Sequence, residues 1–199
     1  SLFYDYLILS PGISYKWGKI EGYGISENTK YPHGWSGKDA NLIRRKVNSL
    51  ENNCKIIISV PEYPYRCPPA PYERASMIAY NLKNKGLKFK IIILDSKNKF
   101  TKQKLFFNAW EKLYPNSINW ISKDSGGEVI KLDSMNKILY TRSGEKYKGD
   151  LINIIPDQKA SEIIFNSRLS LDDWCSINPS TFELKDNKFI YVIGDSIDA

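Results

Sequence analysis

The chain has 199 residues, 42% hydrophobic and 13% aromatic, with 29 Lys and Arg against 22 Asp and Glu for a net charge of +7. That apolar content supports a packed core and excludes a disordered tail, and no run approaches the roughly 18 apolar residues of a membrane helix. One histidine, His33, and three cysteines exclude most histidine-based metal sites and leave a Ser-His-Asp triad without a nucleophile elbow.

The opening apolar run, residues 4–9, reads as a buried strand stopped by the Pro11-Gly12 turn. Residues 14–36 are rich in Gly, Tyr and Trp without a period and read as loop. Leu42, Ile43, Val47 and Leu50 recur at helical spacing over 38–50. Residues 55–60 form a continuous β-branched run, the pattern of a parallel strand covered on both faces. A proline-rich loop over 61–71 leads into a helix from about 71 to 85, with Pro71 in its first turn and Gly86 after its end. Residues 89–95 are a second apolar strand, so 55–95 is a βαβ unit with a right-handed crossover.

Thr101 is read as the cap of a third helix carrying Leu105, Phe106, Ala109, Trp110 and Leu113. A short strand at 118–121 precedes an antiparallel meander over 127–148, a buried strand at 150–156, a short helix at 159–165 and a last buried strand at 189–193. The fold class is α/β. Because buried strands stand at both ends, the sequence reads as a piece of a longer polypeptide. The lysines at 83, 85, 88, 90, 97, 99, 102 and 104 read as solvated helix ends and loops, with a docking face for an acidic partner as the alternative.

A dinucleotide-binding βαβ carries Gly-x-Gly-x-x-Gly at its first turn, where the glycines let the backbone approach a pyrophosphate. The same place here, residues 61–71, has five prolines and no glycine, so the unit is expected not to bind NAD. Asp95 nevertheless ends the second strand, the position of a ribose-binding carboxylate. In place of the glycine loop stands Cys67, ahead of a helix N-terminus and between Arg66 and Arg74, an electropositive setting of the kind that makes a cysteine reactive, with a rigid structural loop carrying an incidental cysteine as the alternative. Cys175 follows Trp174 in a later loop, and Cys54 opens a strand as a packing residue. Spacing alone leaves open whether Cys67 and Cys175 form a redox pair, since only the tertiary fold can bring them together.

The string Arg66-Cys67-Pro68-Pro69-Ala70-Pro71-Tyr72-Glu73-Arg74-Ala75-Ser76 resembles the flavoprotein subunit of flavocytochrome c sulfide dehydrogenase. The similarity continues in order through residues 90–95, 100–103, 110–114, 152–156, Trp174-Cys175, 181–183 and 192–195, over nearly the whole chain. Ala70 stands where the family often has glycine. The resemblance implies a Rossmann-like, NADH-type domain of a glutathione-reductase-like flavoprotein over 38–149, flanked by pieces of the FAD domain at 1–37 and 150–199. It implies FAD as cofactor, with Ser10, Pro11 and Gly12 passing close to it and Gly194-Asp195 binding its ribitol. Cys67 and Cys175 would be the redox-active disulfide and Glu73 a proton acceptor, although a first-turn carboxylate serving helix N–H groups is an equal reading of Glu73. Sulfide would be the substrate, a cytochrome c subunit the electron acceptor and the periplasm the compartment, with no nucleic acid, NAD, metal or membrane span. The family's pyrophosphate-binding βαβ would lie before Ser1 and its interface segment after Ala199. The alternatives are a sulfide:quinone oxidoreductase-like enzyme and a non-catalytic domain without FAD.

Overall fold

The computed structural model describes residues 3–198. In chain order the elements are β1 (Leu7–Leu9), β2 (Ile13–Tyr15), α1 (Gly37–Asn48), β3 (Cys54–Val60), α2 (Ala70–Asn84), β4 (Phe89–Asp95), α3 (Gln103–Leu113), β5 (Ile118–Ile121), β6 (Val129–Asp133), β7 (Ile138–Thr141), β8 (Lys146–Lys148), β9 (Leu151–Ile154), β10 (Gln158–Ala160), α4 (Glu162–Asn166) and β11 (Ile190–Val192). The chain divides into two units: Trp17–Asp157, and Ser1–Lys16 together with Gln158–Ala199.

The larger unit is built on a parallel sheet of order β5-β4-β3-β9. The period of two along β3 sorts its side chains: Ile56, Ile58 and Val60 join one core with Ile43, Val47, Tyr72, Ala75, Ile78, Ala79 and Leu82 of α1 and α2. Ile57 points to the other face, where Val129, Leu132 and Leu139 of the β6-β7-β8 meander cover it. Both faces are therefore buried, as the β-branched run requires.

Helix starts follow different devices. Ser36 caps α1 by accepting the Asp39 N–H at 3.1 Å and donating to the Asp39 carboxylate at 2.8 Å. At α2, Pro69 is the N-cap and Pro71 lies within the first turn. Thr101 does not cap α3; Lys102 occupies that position in the left-handed region at φ +63° with no side-chain cap.

Three further expectations change. Leu151–Ile154 pairs in parallel with β3, and Tyr23 and Tyr31 pack under the meander, so the larger unit runs beyond both ends of 38–149. An apolar run shows that a strand is buried but not which sheet it joins, and an aromatic loop without a period gives no sign of its core contacts. Residues 158–160 are a strand rather than the start of a helix, because they pair antiparallel with Ile13–Tyr15, itself read as turn and loop. Tertiary pairing overrides a short local spacing.

The smaller unit holds β1 and β11 side by side in parallel. Its core contains Ala160, Ile164, Trp174, Cys175, Ile177, Leu184, Val192 and Ile197.

Gly127 marks the tightest approach in the larger unit. A methyl group there would stand 2.1 Å from the Ile121 carbonyl oxygen and 2.9 Å from the Asp95 backbone N and O. Gly127→Ala is expected to lower stability by about 2–3 kcal/mol, whereas Gly37→Ala, facing open space, leaves it unchanged within about 0.5 kcal/mol. Urea titration of the two variants checks the contrast.

Candidate functional site

The carboxyl ends of β3, β4 and β9 define the edge where open parallel sheets take their ligands. Cys67 sits on the loop that leaves β3 at this edge. It is exposed, a free thiol, and left-handed at φ +53°. Its carbonyl accepts the Ala70 N–H at 2.9 Å, so the loop turns directly into α2. Trp35 Nε1 donates to the Arg66 carbonyl at 3.2 Å, and Tyr65 donates its hydroxyl to the Pro68 carbonyl at 2.9 Å.

Arg74, one turn into α2, is a largely desolvated guanidinium. It donates to the carbonyls of His33 and Gly34 at 2.7 and 2.8 Å and to Asn153 Oδ1 at 2.8 Å, and lies 5.0 Å from the Trp35 ring centre. Burial draws its pKa down to about 10, with Cys67 and Asp39 acting in the opposite direction. Glu73 is exposed and lines a cavity of about 520 Å³ between α1 and α2, with Ala70, Arg74, Met77 and Asn81. Glu73 is the acidic residue of the first turn of α2, whose N-cap, Pro69, makes no side-chain cap.

Asp95 stands where a ribose-binding carboxylate would, but it is fully buried and turned inward. It accepts from Tyr72 at 2.6 Å, Trp120 Nε1 at 2.8 Å, Lys97 Nζ at 2.6 Å and the Lys97 N–H at 3.1 Å. Lys97 Nζ also donates to the Pro61 carbonyl at 2.9 Å and lies 5.1 and 4.9 Å from the rings of Tyr63 and Tyr65. Beside it the crevice narrows to a cavity of about 150 Å³ lined by Lys19, Asp157, Glu62, Lys123, Glu128 and Arg142. These six are three ion pairs: Lys19 with Asp157, Lys123 with Glu62 at 3.0 Å, and Arg142 with Glu128 through two bonds of 2.8 Å.

His33 is structural. Its Nε2 lies 2.9 Å from the Asp39 carboxylate, and its Nδ1 accepts the Trp35 N–H at 2.9 Å. Burial lowers its pKa most; Asp39 opposes this and Arg74 adds to it.

In the smaller unit, Ser10, Pro11 and Gly12 leave the carboxyl end of β1, and Gly194 and Asp195 that of β11. The two segments touch: the Ile193 N–H donates to the Leu9 carbonyl at 2.9 Å, and the Ser196 hydroxyl to that of Gly12. Gly12 and Gly194 have φ of +73° and +76°, and a Cβ on Gly194 would stand 3.3 Å from Ser10 Oγ. Asp195 is exposed beside them. Cys175 lies against the same segment, donating its N–H to Ser196 and accepting from Asp198 at 2.9 and 2.8 Å. It is a buried free thiol, and burial pushes its pKa up.

The geometry groups the predicted residues by unit: Cys67 and Glu73 in the larger, and Cys175 with Ser10, Pro11, Gly12, Gly194 and Asp195 in the smaller. Trp35, Tyr65 and Asn153 were not singled out from the sequence, and Lys97, read there as a solvated lysine, is instead buried and paired with Asp95. Asn153 was the most legible of them, as the lone polar side chain inside the run 151–155.

These features define a Rossmann-type α/β fold in which a cysteine loop replaces the dinucleotide loop. The family described as sulfide dehydrogenase (flavocytochrome c) flavoprotein chain, central, matches residues 40–156, and the chain belongs to this family. Solved structures share the fold. A NAD-dependent persulfide reductase from A. fulgidus aligns with a TM-score of 0.67 at 17% identity over 98% of this chain and 34% of its own. Putidaredoxin reductase in its covalent complex with putidaredoxin gives 0.69 at 14% identity over 98% and 45%. Thioredoxin reductase from Lactococcus lactis gives 0.65 at 13% identity over 98% and 58%. The chain thus spans between about a third and three-fifths of the length of these proteins. No helix among the described residues is long and apolar enough to cross a membrane.

Two measurements check this geometry. Iodoacetamide labelling read peptide by peptide should modify Cys67 in the native chain, and Cys54 and Cys175, 5% and 0% exposed, only after denaturation. His33 should make stability pH-dependent. Its folded pKa lies below the unfolded value of about 6.5, so its contribution is complete above that pH and is lost as pH falls through it. Between pH 7.5 and 5.5 the chain should lose more stability than His33→Gln in urea unfolding.

Proposed function

We propose that this chain is the central part of a flavin-dependent sulfide dehydrogenase, with Cys67 and Cys175 as its redox-active cysteine pair. The observation that carries the reading is Cys67 itself, an exposed thiol at the carboxyl end of a parallel strand and the N-terminal side of a helix, on a loop without glycine. Family membership supports the substrate class.

The smaller unit fits FAD. Gly12 and Gly194 keep the carboxyl ends of β1 and β11 clear of side chains, and Asp195 offers an exposed carboxylate that accepts hydrogen bonds from hydroxyl groups. Ser10, Pro11, Gly12, Gly194 and Asp195 would hold the cofactor, which when bound supplies an acceptor for one electron pair.

In the oxidised protein the two cysteines form a disulfide. Hydrosulfide attacks one of its sulfurs; a new S–S bond forms, the old one breaks, and the products are a persulfide on one cysteine and a thiolate on the other. Glu73, exposed on α2, takes the persulfide proton. A disulfide of this kind suits an oxidising compartment, and the proposal places the protein in the periplasm. A cytochrome c subunit is the proposed electron acceptor, in keeping with the family description. The larger unit is proposed to take no NAD. Asp95 has its lone pairs engaged, prolines cannot offer N–H groups to a pyrophosphate, and the adjoining cavity is smaller than the roughly 300 Å³ of a usual ligand pocket.

The test is sulfide-driven bleaching of flavin absorbance in the full-length protein. Cys67→Ser and Cys175→Ser should each slow it by about a hundredfold or more. Full rates in either variant would refute the mechanism, and micromolar NADH binding would refute the exclusion.

A further inference from the structure

The carbonyls of the residues before and after Cys67 are each held by a different aromatic side chain. The Arg66 carbonyl accepts Trp35 Nε1, and the Pro68 carbonyl accepts the Tyr65 hydroxyl. Neither donor is free to drift. Tyr65 is buried, stacked on Tyr63 at 5.4 Å with 10° between planes, covered by Lys97 Nζ and met edge-on by Trp35 at 6.4 Å. Trp35 lies under the Arg74 guanidinium, which is itself tied to the carbonyls of His33 and Gly34 just before it in the chain. Between these two anchors Cys67 takes a left-handed conformation, which disfavours any residue with a Cβ and persists only where its surroundings impose it.

We propose that Tyr65 and Trp35 are positioning residues for Cys67, fixing its sulfur by holding the carbonyl of the residue on each side of it. The inference rests on Cys67 being one of the redox pair. A fixed sulfur raises the effective concentration at which the pair closes, so it favours the disulfide over two thiols. Releasing either carbonyl frees the loop and makes the disulfide easier to reduce.

The test equilibrates the full-length protein in glutathione buffers of graded potential. Closure of the pair reduces one glutathione disulfide to two glutathiones. Reduced and bridged Cys67 and Cys175 are counted by peptide mass spectrometry after trapping. Tyr65→Phe removes one oxygen and keeps the ring. It should lower the closure constant about tenfold, raising the reduction potential by about 30 mV. Trp35→Phe should shift it in the same direction. Tyr63→Phe, which removes the neighbouring hydroxyl but no bond to the loop, should leave it unchanged. A purely structural role for Tyr65 would lower the melting temperature and leave the potential where it was. Unshifted potentials in both Tyr65→Phe and Trp35→Phe, with the pair still closing, would overturn this inference and leave the reading of the pair intact. No Cys67–Cys175 bridge in the unmodified protein at any buffer potential would overturn both.

Discussion

The larger unit depends on one buried carboxylate. Asp95 ends β4 with no exposure to water, and a charge there is tolerated only if it is fully paired. Its four hydrogen bonds come from three elements: Tyr72 from α2, Trp120 from β5, and Lys97 from the turn that follows β4. Lys97 then carries the constraint to the Pro61 carbonyl and the stacked rings of Tyr63 and Tyr65. The helix layer, the sheet edge and the cysteine loop are thus registered on a single ion. Removing Lys97 alone would leave that ion unpaired in the core, so the two residues act as one structural unit.

The same carboxylate explains how a nucleotide-type sheet supports a thiol loop. In such sheets the groups at the strand ends face outward toward a ligand. Here they are committed inward or to one another, through Asp95 with Lys97 and through three ion pairs around the crevice. Exposed ion pairs stabilise little individually; these line the crevice beside Asp95. Cys67 stands at that edge as an exposed thiol.

Much of this was legible in the sequence. The run 55–60 and the apolar spacing of α2 gave their elements because burial on both faces, or on one helical face, leaves a periodic trace. Cys67 was legible because five prolines stand where glycines would be needed. What stayed hidden was partnership over distance. Leu151–Ile154 looks like any buried strand until it is seen beside β3, and Gln158–Ala160 is a strand only because Ile13–Tyr15 pairs with it. Asp95 was visible as a carboxylate at a strand end, but its inward turn depends on Tyr72 and Trp120, far from it in the chain. Trp35 and Tyr65 carried no signal, since aromatic residues in a loop look alike whether they pack or donate.

The bond between Arg74 and Asn153 spans 79 residues and sets an order of assembly. β3, α2 and β4 are contiguous and have their local contacts as soon as they leave the ribosome. The guanidinium on α2 does not have its full set of acceptors until β9 has been made and has joined the far side of β3. Asn153 also donates to the carbonyls of Pro32 and His33, so the segment leading to Trp35 is tied down by the same late strand. The segment that carries Trp35, whose indole holds the Arg66 carbonyl, therefore has its full set of bonds only once β9 has been made. A nascent chain stalled within the meander would display Cys67 on a loop not yet locked, open to non-native thiol chemistry until β9 arrives.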